Sequence, residues 1–189
     1  MNASVTISGR TALLSFVLVL SVLLGLSAPA SAQTRAGDFE LGFAVGGLRF
    51  DDQVTDEDEV YSVLRGGYSL TDAVALELQA GGATSILDTT LTTLFVNGVF
   101  QLRPAATVSP YLLVGVGGAH LEQGGFLGSE EIDESGLAYQ AALGARFALG
   151  GSRRMAARLE VGTIFEDTLE DSNQHLFLTG GLIWRLGGN

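Results

Sequence analysis

The sequence predicts an all-β fold: an eight-stranded antiparallel up-and-down transmembrane β-barrel preceded by a cleaved signal peptide. Three observations predict it. An apolar leader ends in a small-residue site, eight stretches of alternating residues follow it, and the mid-strand charges keep to one face of the alternation.

Composition narrows the classes first. A chain of 189 residues has room for one domain. It contains no Cys, so disulfides, thiolate metal sites and a cysteine nucleophile are excluded. Its 26 Gly do not fall at every third position, which excludes a collagen-like chain. There are 21 acids against 10 basic residues, all of them Arg, for a net charge of −11. Neutralising phosphates needs a basic surface, so a nucleic-acid partner is excluded. At 47% hydrophobic the chain is too apolar to be disordered.

The leader comes first in the chain. Residues 1–10 are polar with a single charge, Arg10. Ala12–Leu26 is an apolar run broken only by Ser15, Ser21 and Gly25. Ala30 and Ala32 then supply the small-x-small pattern of a secretory cleavage site, so cleavage is expected after Ala32. The competing reading is an uncleaved anchor helix, but the run is shorter than the roughly 20 residues a spanning helix needs. Residues 1–32 are thus the signal peptide and 33–189 the barrel domain.

Strands are then expected over 38–50, 59–68, 73–83, 90–102, 110–121, 136–149, 155–165 and 174–186. The alternation is plainest in 136–149, where Leu137, Tyr139, Ala141, Leu143, Ala145, Phe147 and Leu149 interleave with Ala138, Gln140, Ala142, Gly144 and Arg146. In 38–50, Phe39, Leu41, Phe43 and Val45 oppose Glu40, Gly42, Ala44 and Gly46. Short turns (69–72, 103–109, 150–154) alternate with longer connections (51–58, 84–89, 122–135, 166–173). That is the layout of a bacterial transmembrane barrel with both chain ends on the periplasmic side.

Charge placement decides which face is inside. Glu40, Arg65, Glu77, Arg146, Arg158 and Glu160 share the face rich in Gly, Ala and Gln, while the opposite face carries Leu, Val, Phe and Tyr. A charge facing mid-bilayer costs about 2–4 kcal/mol, so the charged face points inward and the apolar face meets lipid. Eight strands leave room inside only for side chains. Buried charges must pair, so the three Arg and three Glu are read as a plug, with glycines making space for them. Aromatic residues are expected in two belts. Phe39, Tyr68, Phe100, Tyr111, Phe147 and Trp184 lie toward the short turns; Phe50, Tyr61, Phe95, Tyr139, Phe165 and Phe177 lie toward the loops.

On these residues the chain resembles the small outer-membrane β-barrel proteins, the OmpA-transmembrane-domain and OmpX-like group. Pro110-Tyr111-Leu112-Leu113-Val114-Gly115-Val116-Gly117 is similar to the group's PY-x-x-x-G-x-G segment. Gly66-Gly67-Tyr68-Ser69-Leu70-Thr71-Asp72 resembles its first periplasmic turn, and Ala75–Leu78 and Gly144–Phe147 its third and sixth strands. The resemblance spans 37–186. It departs at the end, where Trp184 is the nearest aromatic to the C-terminus, and the resemblance does not extend to a peptidoglycan-binding domain, so no wall anchor is expected. It implies residence in the outer membrane of a Gram-negative-type bacterium, contact with outer-membrane lipid and lipopolysaccharide, and insertion by the barrel assembly machinery.

No catalytic, cofactor-binding or metal site is expected. A Ser hydrolase needs a His base, and only His120 and His175 exist. The lipid A deacylases place Ser two residues after their His; here those positions are Glu122 and Phe177. Both His residues are read as interfacial polar side chains. The acids cluster toward the loops: Asp51, Asp52 and Asp56–Glu59; Glu130, Glu131, Asp133 and Glu134; Glu166, Asp167, Glu170 and Asp171. With Asp88 and Glu122 they make 16 of the 21 acids. They are read as a solvated rim, with divalent cations as partners that oxygen ligands of this kind would take. The expected function is a non-enzymatic barrel with a structural or adhesion-like role. The alternatives are a narrow pore or small-molecule carrier, and a lipid-modifying enzyme.

Overall fold

The computed structural model describes residues 34–49, 58–84, 89–123, 132–149, 154–167 and 172–186. Residues 1–32 lie outside them. Eight strands follow one another: β1 (Phe39–Arg49), β2 (Asp58–Ser69), β3 (Val74–Thr84), β4 (Thr89–Gln101), β5 (Val108–Gln123), β6 (Ile132–Ala148), β7 (Met155–Asp167) and β8 (Ser172–Leu186). Each pairs antiparallel with the next, and β1 pairs with β8, from Phe39 opposite Leu186 to Arg49 opposite Leu176. The barrel is closed, so no strand edge in this ring is left unpaired. No helix occurs among the described residues.

The period-two alternation of the sequence is the alternation of the wall. Along β1, residues 40, 42, 44 and 48 are buried while Phe39, Leu41, Phe43 and Val45 are exposed. The same parity puts Leu64, Leu76, Leu78, Leu94, Val96, Val114, Val116, Leu159, Val161 and Leu178 outside. An apolar surface this extensive suits lipid rather than water. Phe39 and Tyr68 face each other across β1 and β2, ring centroids 4.8 Å apart. Phe100, Phe147 and Trp184 continue that belt, and Tyr139 opposite Phe165 marks the other interface.

Three expectations about the strands need correction. First, the strands run further toward the loops than the alternation showed. β5 and β6 stay paired as far as Gln123 opposite Ile132, so three connections shrink, to 85–88, 124–131 and 168–171, while the first keeps its length at 50–57. Two of those four are no longer than the 70–73 turn on the other rim. An antiparallel ladder continues wherever backbone groups can pair, whether or not the side chains alternate in polarity.

Second, the aromatic belts are thinner. Tyr61, Phe95, Tyr111 and Phe177 point into the barrel and are at most 2% exposed; Phe50 lies outside the described residues. Third, the outward face is not wholly free of charge, because Arg49 is exposed at the loop end of β1.

Some inward glycines flank the charges, as Gly67 does Glu40 and Gly42 does Arg65, and others sit beneath these rings. A methyl group at Gly144 would strike Tyr111, one at Gly81 would strike Tyr61, and one at Gly162 would strike Phe177. A narrow barrel can hold a large ring on one strand only if the wall facing it has no side chain.

Candidate functional site

The lumen is the part of the molecule where functional side chains converge. At its periplasmic end Glu40 on β1 receives two arginines. Arg146 Nη1 lies 2.9 Å from Glu40 Oε2 and Arg185 Nε 2.9 Å from Glu40 Oε1. One layer deeper, Arg158 on β7 reaches Glu77 on β3, Nη1 to Oε2 at 2.6 Å. These two strands stand four places apart in a ring of eight, so this ion pair spans the full diameter.

Glu160 completes that layer. It accepts from Arg158 Nη2 at 2.5 Å, from Arg65 Nη2 at 2.5 Å and from the Tyr111 hydroxyl at 2.6 Å. The Arg158 guanidinium also lies over the Tyr111 ring, 4.7 Å from its centroid, and donates to its hydroxyl. All of these groups are buried. Charge-assisted hydrogen bonds of this kind hold buried ions in place because each charge meets an opposite one.

Above the ions lies a neutral polar layer. Gln79 donates to Gln140 at 3.2 Å, Asn97 donates to Gln79 at 3.3 Å, and Gln140 returns to Asn97 at 2.5 Å. Tyr61 and Thr93 share a 3.0 Å hydrogen bond beside them. Above that, Leu48, Ala83, Leu91, Phe95, Ala119, Ala138, Ile164 and Phe177 form an apolar core. The upper lumen is therefore largely apolar, with the buried polar groups Glu59, Glu166 and His175 standing level with this core.

Each sequence-derived site residue can now be placed. Glu40, Arg65, Glu77, Arg146, Arg158 and Glu160 all point inward and do form one paired plug. The expected balance of three and three is corrected to four Arg and three Glu, because Arg185 joins Glu40. Arg185 could have been found: it alternates with outward Trp184, which fixes it on the inner face. Gln79 and Gln140 lie on the inward face as expected, but their joining with Asn97 into one layer, and the inward place of Tyr111, were missed, since both depend on partners from other strands.

His175 is not interfacial. It is buried in the lumen, 3.5 Å from the carboxylate of Glu166. Glu59 and Glu166 are buried inward as well, so neither belongs to a solvated rim. Asp51, Asp52, Asp56, Glu57, Asp88, Glu130, Glu131, Glu170 and Asp171 lie outside the described residues, and Glu122 is exposed.

His120 does sit on the outer face near the loops, but it is not isolated. Its Nδ1 lies 2.8 Å from Ser135 Oγ, directly across on β6, and its Nε2 lies 2.9 Å from Glu122 Oε1. The spacing rule applied to the sequence could not see this grouping, because Ser135 is brought in by strand pairing. Among the described residues no group of three or more His, Asp or Glu could hold a metal ion.

Comparisons with known proteins agree with this architecture. The structure of Neisserial surface protein A superposes with a TM-score of 0.66 at 10% identity, covering 78% of this chain and 97% of that one. The outer membrane protein OprG from Pseudomonas aeruginosa gives 0.54 at 14% identity, covering 84% and 100%. The N-terminal β-barrel domain of Pseudomonas aeruginosa OprF gives 0.51 at 18% identity, covering 78% and 99%. These likenesses show the fold. No curated protein matches the chain. Residues 18–180 match the family described as outer membrane protein beta-barrel domain, which is most of the sequence. The chain belongs to that family, and its place is the outer membrane of a Gram-negative bacterium.

Proposed function

We propose that this protein is a non-enzymatic outer-membrane barrel whose filled wall is a scaffold and whose loop rim carries a structural or adhesion-like role. The observation that carries this reading is the Arg158–Glu77 bridge across the full width of the lumen, with an amide layer and an apolar core above it. A lumen packed this way supports a scaffold and leaves no path for a diffusing solute. Outer-membrane lipid and lipopolysaccharide are the immediate partners. The acid-rich connections are suited to divalent cations that bridge to lipopolysaccharide phosphates, and the barrel assembly machinery inserts the chain.

The test is planar-bilayer conductance of the refolded chain, together with a variant whose 50–57 and 124–131 segments are replaced by Gly/Ser linkers. Absence of conductance steps, with surface attachment lost in the linker variant, is the expected result. Discrete steps would favour the narrow pore or carrier instead.

The Ser135–His120–Glu122 relay favours a second reading, a lipid-modifying hydrolase, because it has the connectivity of a nucleophile, a base and an orienting acid. What it lacks is an electrophile-binding element. Ser135 lies in a continuous β5–β6 ladder, where backbone N–H groups are engaged between strands and do not converge on a developing oxyanion. A fluorophosphonate probe should therefore leave Ser135 unlabelled. Labelling that is lost in Ser135→Ala would establish the hydrolase.

A further inference from the structure

We infer that residues 34–38, which precede β1, form a strap that closes the periplasmic mouth of the barrel. The argument starts from Thr34, which lies outside every strand yet is fully buried. Its hydroxyl is 3.0 Å from Gln101 Nε2 and 3.1 Å from Gln101 Oε1, and Ser109 donates to the same Oε1 at 3.3 Å. Gln101 ends β4 and Ser109 is the second residue of β5, and β5 stands opposite β1 in the ring of eight. The chain that enters β1 on one side of the mouth therefore crosses to the other side within five residues.

The crossing is built rather than incidental. Gly37 has φ of 89°, the left-handed region that favours glycine, and is the positive-φ glycine among the described residues. Gly37 N donates to Ser69 O at 2.8 Å and Ser69 N to Asp38 O at 2.9 Å, which extends the β1–β2 pairing below the wall. Ala36 N donates to Asp72 Oδ1 at 3.0 Å, tying the strap to the β2–β3 turn. Arg35 N donates to Asp38 Oδ2 at 3.0 Å while Asp38 N donates to Arg35 O at 3.1 Å, closing the turn on itself.

Burying a hydroxyl is unfavourable unless its hydrogen bonds are replaced, so Gln101 and Ser109 are a socket matched to Thr34. With Thr34 seated, water from the periplasm is kept off Gln101, Ser109 and the Glu40 ion cluster above them. The strap is also the part of the plug that can leave without breaking a strand. It is a removable cap over the ion cluster on the periplasmic side, independent of the loops.

The chain contains no Cys, which makes a single-cysteine test clean. Ser109→Cys is introduced into the full chain, folded in lipid vesicles, and exposed to a charged maleimide. Labelling is compared with Thr34 intact, with Thr34→Ser and with Thr34→Glu, while the unboiled gel band reports a closed wall. A local opening set by the strap predicts labelling about tenfold faster or more in Thr34→Glu, with Thr34→Ser matching the parent. Equal labelling in Thr34→Ser and Thr34→Glu would overturn the strap. A second variant is independent of how Thr34→Glu folds. Thr34→Cys in the full chain should be shielded from the same maleimide in the folded band and labelled once unfolded, and equal labelling in the two states would equally overturn the proposal.

Discussion

The lower and upper halves of the lumen are lined by the same eight strands and by the same inward parity, yet they are filled by different chemistry. Below, Arg146 and Arg185 meet Glu40, and Arg65 and Arg158 meet Glu77 and Glu160. Above, Leu48, Leu91, Phe95, Ile164 and Phe177 pack as in the core of a soluble protein, with the buried His175–Glu166 pair as the polar exception beside them. The charged half depends on partner identity, because a buried ion without its counter-ion is costly. The apolar half depends on volume, because dispersion and water exclusion do not distinguish one well-packed aliphatic from another. A lipid-facing wall puts the same demand on both halves from outside, so the contrast belongs to the interior alone.

The comparison can be broken or sharpened by substitution, using the loss of the heat-modifiable band and the urea midpoint of the barrel folded in vesicles as readouts. The largest effect is expected from Gly144→Leu. The added side chain would collide with the Tyr111 ring and with the carbonyl of Leu159, so no SDS-resistant band should form. A folded band from this variant would remove the glycine-beneath-ring account of the lumen.

Next comes Arg158→Ala, which leaves Arg65 alone to balance both Glu77 and Glu160. It should cost about 3–5 kcal/mol, and replacing Glu77 by Gln in the same chain should recover part of that loss. Absence of any recovery would mean that packing, not pairing, governs the lower half. Phe95→Ala in the upper half should cost about 3 kcal/mol, with Phe95→Leu much milder, because only volume is lost. If Phe95→Leu is as damaging as Phe95→Ala, the volume rule fails there. The smallest effect is expected outside the lumen. His120→Ala removes an exposed pair with Glu122 and should shift stability by about 0–1 kcal/mol.

The resemblance in sequence and the comparison of structures meet at the wall. Leu137 through Leu149 could be assigned to alternate faces without coordinates, since a strand has a period of two and nothing else in the chain competes with it. The charged residues then fixed which face was inside. What could not be seen was pairing at a distance. Glu40 lies 106 residues from Arg146 and 145 from Arg185 in the chain, and no local pattern relates them.

The same limit explains His120 and His175. Each has a polar sequence neighbourhood, yet parity sends one outward to Ser135 and the other inward to Glu166. Tyr61, Phe95, Tyr111 and Phe177 were assigned to interfacial belts from their height along the strands. Their parity contradicts that, and the glycines facing them provide the space.

By itself the sequence determined the class of fold, the number of strands, the lipid-facing surface and the identity of most buried ions. Those features follow from a period-two code and from the cost of placing charge in lipid, both of which act residue by residue. Closure of the ring decided the rest. Only when β1 meets β8 do β3 and β7 come to stand opposite, so that Arg158 can span the lumen to Glu77. Only then does the chain before β1 have a mouth to cross, with Gln101 and Ser109 waiting on its far side. Contacts across a diameter depend on strand number and stagger together, and neither is written at any one position of the chain.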